Sequence, residues 1–204
     1  MNIEFNDNKN GRPLEHYTAL FAAADPEELA RRTGCAYTDG FFSLRLLSHS
    51  VIVRWPDMEA ELADSGEPLC PATRILLGRY LLKGTTLPSS GRMLAYSELP
   101  WGSVYNAQFT DRCIRRLATA YGTNLDRFTE ACETLNGRKM SGADAAFELE
   151  LLPELIVRLC LWEGDEEFPA SAQILFSDNF TAAFTAEDIA VVGDLVLNVL
   201  KGRW

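Results

Sequence analysis

Apolar and polar residues alternate most plainly in two stretches of the chain. In the first, FFSLRLL (41–47) and SVIVRW (50–55) flank Ser48-His49. A two-residue turn there sets Leu46 opposite Val51, Leu44 opposite Val53 and Phe42 opposite Trp55, all apolar. Ser43, Arg45, Leu47, Ser50, Ile52 and Arg54 then share the other face, the segregation that a half-buried antiparallel pair requires. In the second, a turn at Leu152-Pro153-Glu154 sets Leu151 opposite Leu155, Leu149 opposite Val157 and Phe147 opposite Leu159. Glu148 meets Arg158 on its other face, an opposite-charge cross-strand pair. AQILF (172–176) reads as a third strand of this group.

Between and around the strands the apolar period lengthens to that of a helix. Leu14, Tyr17 and Phe21 share one face of a helix over Pro13–Ala23. Asp25-Pro26-Glu27-Glu28 supplies an N-cap, a first-turn proline and a carboxylate for a second helix ending at Gly34. Pro71–Lys83 is apolar nearly all round, which predicts a central core helix closed by Gly84. Helices follow over 104–121, stopped by Gly122, and from Leu125 to Gly137. The last opens at Thr185 with Asp188 three positions on, a capping-box pattern, and carries Ile189, Val192, Val196 and Val199 as far as Gly202. Residues 56–70, 85–103 and WEGDEEFPAS read as connections, the first an exposed one. Strands joined by hairpins rather than helical crossovers predict an α+β fold: about five antiparallel strands in one or two sheets, packed with about six helices. The expectation is a single domain over 1–204, with residues 1–12 a loosely held polar tail.

Composition narrows the function more than it defines it. At 204 residues, 47% hydrophobic and 24% charged, the chain is of ordinary globular type. A net charge of −10 disfavours both phosphate backbones and anionic membrane surfaces, so neither nucleic acid nor membrane is an expected partner. No signal-like start and no spanning apolar run are present, and a cytoplasmic location is expected. Cys35, Cys70, Cys113, Cys132 and Cys160 are irregularly spaced without a C-x-x-C pair, which predicts small buried hydrophobes rather than a zinc or iron–sulfur site. His16 and His49 have no partner at metal-ligand spacing. No P-loop, nucleophile elbow, H-E-x-x-H or G-x-G-x-x-G pattern occurs.

Two segments stand out as candidate chemistry. RMLAYSELPWGSVY (92–105) sets Tyr96, Glu98, Trp101 and Tyr105 on a Gly/Pro-stiffened loop before a helix, where aromatics can wall a pocket for a flat or anionic ligand. The plainer reading is that Trp101 plugs the core. WEGDEEFP (162–169) groups Trp162, Glu163, Asp165, Glu166 and Glu167, carboxylates that can hold a hard cation or work as an acid/base pair. The plainer reading is a solvated charged loop.

ILLGRYLLKGTTLPSSGRMLAYSELPWGSVYNAQF, followed by GADAAFELELLPELIVRLCLWEGDEEFPASAQILF, resembles an uncharacterised bacterial and archaeal family, domain-of-unknown-function family 3786. The likeness runs from the early His-Tyr helix to the final helix and is carried by S-E-L-P-W-G-x-x-Y, G-A-D and the L-W-E-x-D-E-E-F-P turn. It implies no established activity and no agreed catalytic residues. It implies an anaerobic setting, since members occur mainly in anaerobes. Some members are joined to a cysteine-rich segment similar to one in corrinoid iron–sulfur proteins. This chain lacks that segment, so a redox or corrinoid connection would require a partner protein or a bound cofactor.

Three readings follow. The first is a non-catalytic binding module for a small molecule, cofactor or protein in anaerobic redox or cofactor metabolism. Tyr96, Trp101, Tyr105 and Trp162 would be its walls, and Glu98, Glu163 and Asp165 its polar anchors; the cofactor is unknown, and an iron–sulfur or corrinoid protein is a candidate partner. The second is a carboxylate enzyme, with or without a divalent ion, which demands that at least two of Glu98, Glu163 and Asp165 converge. The third is a pocketless interaction domain, which demands an exposed apolar patch.

Overall fold

A computed structural model describes residues 11–85 and 87–204. The first ten residues, and with them most of the expected loose tail, lie outside the described residues. The fold is α+β, with two separate antiparallel sheets of four and five strands. Contacts divide the chain into two compact units, residues 1–44 with 50–85 and residues 45–49 with 86–204.

In the first unit α1 (Gly11–Ala23) and α2 (Pro26–Thr33) both pack on α3 (Pro71–Lys83). The caps of α2 are the predicted ones. Asp25 accepts a hydrogen bond from the Glu27 N–H, and Gly34 takes the left-handed conformation at φ 70°. Helix α3 has the predicted bounds, with Leu76, Leu77, Tyr80 and Leu81 buried. Arg32 of α2 donates from Nε to the Gly84 carbonyl at 3.1 Å and from its guanidinium end to the Leu81 carbonyl, occupying oxygens at the end of α3.

The first sheet runs β1 (Ala36–Thr38), β2 (Phe41–Leu46), β3 (His49–Arg54) and β4 (Ala60–Leu62). Phe42, Leu44, Leu46, Val51 and Val53 are buried as the alternation requires. The turn is Leu47-Ser48, one position earlier than expected, so facing partners slide along the ladder while each side chain keeps its face. Leu47 sits in that turn at φ 52° and is buried rather than exposed; its N–H donates to the Leu151 carbonyl at 2.7 Å. Residues 56–70 are not simply an exposed connection. They contain β4, paired to β3 through Val51↔Leu62, Ile52↔Glu61 and Val53↔Ala60, and they bury Met58 and Leu69.

The second unit is built on a five-stranded sheet of order β5 (Met93–Ala95), β9 (Ser171–Ser177), β8 (Leu155–Trp162), β7 (Ala145–Leu152), β6 (Arg138–Met140). The β7–β8 ladder matches the predicted pairing at Phe147↔Leu159, Glu148↔Arg158 and Leu149↔Val157. A bulge between Glu150 and Leu152 then brings Leu152, not Leu151, opposite Leu155. A long rod packs on this sheet. It comprises α4 (Gly102–Phe109), a π-helical turn (Thr110–Ile114) and α5 (Arg115–Tyr121). Phe109 meets Phe176 of β9 at 5.9 Å, and Phe128 of α6 (Leu125–Thr134) meets Phe147 of β7 at 5.8 Å, both edge-on. The short α7 (Phe180–Ala183) leads to α8 (Ala186–Val199), whose Thr185–Asp188 capping box is formed as predicted.

Candidate functional site

Between the edge strand β5 and the rod, SELPWG makes one tight passage. Strand β5 pairs with β9 at Leu94↔Phe176 and Ala95↔Leu175. The chain then turns through a 3-10 segment, Tyr96–Glu98. Tyr96 turns inward: it is buried, lies parallel to Phe109 at 4.1 Å and donates its hydroxyl hydrogen to the Ala186 carbonyl at 2.9 Å. Burial pushes its phenol above the usual range. Glu98 turns back on its own turn, its Oε2 accepting the Ala95 N–H at 2.7 Å while Arg92 approaches Oε1 at 3.4 Å. Leu99 is buried, and the Gly102 N–H donates to its carbonyl at 2.8 Å.

This passage throws Trp101 outward. Trp101 takes a left-handed conformation, φ 65° and ψ −3°, and is 77% exposed, so it does not plug the core. The following glycine is required, because a Cβ on Gly102 would lie 1.8 Å from the Tyr96 carbonyl oxygen. One turn into α4, Val104 is 61% and Tyr105 51% exposed, so Trp101, Val104 and Tyr105 form an apolar shoulder at the N-terminal end of the rod. Val104 was not singled out from the sequence. Within a helix pattern an apolar residue reads as core, and only the buried partners Phe109 and Cys113 show which face is inner.

The acidic segment is held differently. Trp162 ends β8, half-buried and paired with Ser171. The Glu163 N–H donates to Asp144 Oδ2 at 2.9 Å, and its own side chain is exposed. Asp165 caps the turn: its Oδ1 accepts the N–H groups of Glu167 at 2.8 Å and Phe168 at 2.7 Å. Those two donors hold its carboxyl below the usual range. The Gly164 N–H reaches the Gly122 carbonyl at 3.1 Å, which fixes this turn at the C-terminal end of the rod.

Trp101 and the acidic turn therefore lie at opposite ends of one continuous helix. Twenty residues at 1.5 Å per residue separate Gly102 from Tyr121, about 30 Å. The structure brings Trp101 and Tyr105 together, keeps Glu163 and Asp165 together on a distant turn, and sends Tyr96 into the core. Glu98, Glu163 and Asp165 do not converge, and the depressed carboxyl of Asp165 owes its shift to its own turn.

No group of three or more metal-ligating side chains is gathered among the described residues. Cys113, Cys132 and Cys160 are buried as expected, and burial pushes the Cys113 thiol up to about 12. Cys70 departs from the expectation: it is exposed at the N-cap of α3, where Pro71 enters the helix and leaves the preceding side chain outside. In the first unit a shallow cleft of about 150 Å³ is lined by Ile52, Arg54, Glu59, Ala60, Glu61 and Pro68. No helix among the described residues is long and apolar enough to cross a membrane.

No curated protein and no solved structure matches the chain. One family does, over residues 25–199 of 204, a span that holds both segments just described. The chain belongs to the family described as Domain of unknown function (DUF3786).

Proposed function

We propose that the chain is a non-catalytic binding module that docks a protein partner through the shoulder of Trp101, Val104 and Tyr105. The supporting observation is Trp101 itself: the largest apolar side chain of the loop is 77% exposed on a left-handed backbone. The three side chains present on the order of 400 Å² to solvent, the size of the largest apolar patch on a typical monomer. Tryptophan and tyrosine are the residues most often found at the energetic centre of protein interfaces.

Nearby charges are paired internally. Arg92 lies 3.4 Å from Glu98, and Asp111 lies 2.7 Å from Arg115 further along the rod. The partner this fits presents an apolar pocket for the tryptophan and tyrosine. The shoulder is about half of what a standard interface buries per partner, so the complex draws in surrounding polar surface as well. The family resemblance makes an iron–sulfur or corrinoid protein the first candidate. The test places a photo-crosslinking residue at position 104 in the native host. A discrete crosslinked protein that disappears with Trp101→Ala is the expected result. No crosslink, or crosslinks indifferent to Trp101→Ala, would overturn the proposal.

A further inference from the structure

We infer that the chain carries a second, separate site, for a small ligand with two or more phosphate groups, where α5, α6 and the end of α8 meet. The site is formed by Arg112, Arg116, Arg127, Lys201 and Arg203. Hydrogen bonds tie these residues to one place. Arg116 donates to Asn198 Oδ1 at 3.1 Å and to Asp194 Oδ1 at 2.7 Å, and Arg112 pairs with the other oxygen of Asp194. The Asn198 carbonyl in turn accepts the N–H groups of Lys201 at 2.9 Å and Arg203 at 3.0 Å. The Tyr121 hydroxyl donates to the Leu200 carbonyl at 2.8 Å, and the Arg127 guanidinium lies 5.6 Å from the centre of the Tyr121 ring. Asp194 is the one carboxylate paired within the group; Arg127, Lys201 and Arg203 have no carboxylate at ion-pair distance among the described residues.

A helix end attracts cations, but one or two satisfy its dipole. Here Lys201 has Arg116, Arg127 and Arg203 as charged neighbours and Arg112 shares Asp194 with Arg116, and neighbouring like charges repel. Lys201 registers this: partial burial, then Arg116, Arg203 and Arg127, pull its ammonium below the usual range. The cluster lies in a chain of net charge −10, so the remaining surface is more acidic still. Screening over about 8 Å lets a small anion respond to the cluster alone, whereas a long polyanion would also meet the acidic surface. Planar guanidinium forks match pairs of phosphate oxygens, and a local excess of about four positive charges matches a di- or triphosphate.

The test is calorimetric titration of the full chain with inorganic triphosphate at low salt. The expected result is saturable, salt-sensitive binding that weakens about tenfold in Lys201→Gln and in Arg127→Gln and is unchanged in Arg31→Gln, an exposed cation on α2. A nucleoside triphosphate competing for the same site also supports the proposal, and its affinity relative to inorganic triphosphate shows whether the base is read. Without phosphate, Lys201→Gln raises the melting temperature by relieving repulsion, whereas a purely helix-capping lysine would lower it. No saturation at millimolar triphosphate, equal loss in Arg31→Gln, a lowered melting temperature in phosphate-free Lys201→Gln, or tighter binding of single-stranded RNA would each overturn the proposal.

Discussion

Replacing Trp101 by glycine separates an outward-facing tryptophan from a structural one. At φ 65° a residue with a Cβ is disfavoured by about 1 kcal/mol or more relative to glycine, so the substitution removes strain. Against this stands the contact Trp101 does make. With 77% of the residue exposed, roughly a quarter of a surface of about 250 Å² is covered, on the order of 60 Å². At about 25 cal/mol per Å² that is at most about 1.5 kcal/mol, an upper bound because the unfolded chain also covers some of it. The two effects nearly cancel, and the net change lies within about 1 kcal/mol of zero. A tryptophan filling the core would cost about 3–5 kcal/mol on truncation. Urea unfolding followed by far-ultraviolet circular dichroism, which does not depend on tryptophan emission, reads the difference. A loss of 3 kcal/mol or more would refute the outward placement and, with it, the docking shoulder.

Gly102→Ala, one residue on, is expected to lose at least about 2 kcal/mol in the same assay, because its Cβ falls 1.8 Å from the Tyr96 carbonyl oxygen and the backbone must move. Glu148→Gln is expected to cost about 2 kcal/mol: the carboxylate is 7% exposed between Arg138 and Arg158, and a double-mutant cycle with Arg158→Met should recover most of the loss as coupling. Asp165 titrates below its ordinary value of 3.8, so its turn gains stability that is present above that pH and is lost as pH falls through the depressed value. A carboxyl-carbon NMR titration midpoint at or above 3.8 for Asp165 would count against the turn as described.

Hairpin β7–β8 was legible because each strand is eight residues long, enough for a period of two to show, and because Glu148 and Arg158 mark the face opposite Phe147 and Leu149. Helices α2, α3 and α8 announced themselves through Asp25, Pro71 and Thr185, residues whose side-chain or ring chemistry acts within one turn. Strands β1, β4, β5 and β6 are three residues each, too short to display any period, and β4 lies inside an acidic stretch that composition alone marks as surface. In the loop over 92–105, sequence did not show which aromatic faces inward. Tyr96 and Trp101 are both loop aromatics, and their opposite fates depend on the left-handed turn at Trp101 and the close approach at Gly102. The acidic turn is placed at the far end of the rod by α5 packing on β8 and by the hydrogen bond from Gly164 to Gly122, both between residues far apart in the chain.

The rod contributes residues to both proposed surfaces. Gly193 of α8 faces it so closely that an added Cβ would lie 2.7 Å from Cys113 Sγ and 3.0 Å from the Phe109 ring. Phe109 and Cys113 are four residues apart, with the π-helical turn beginning between them, and the Arg115 N–H reaching back to the Thr110 carbonyl closes the wider turn. Both side chains thereby point at α8, which is where a rod without room for a methyl group at position 193 must place its inner face. Toward the N-terminal end of the rod Val104 and Tyr105 are left exposed, while Arg112 in the π-helical turn and Arg116 just past it reach Asp194 of α8, one residue beyond that glycine.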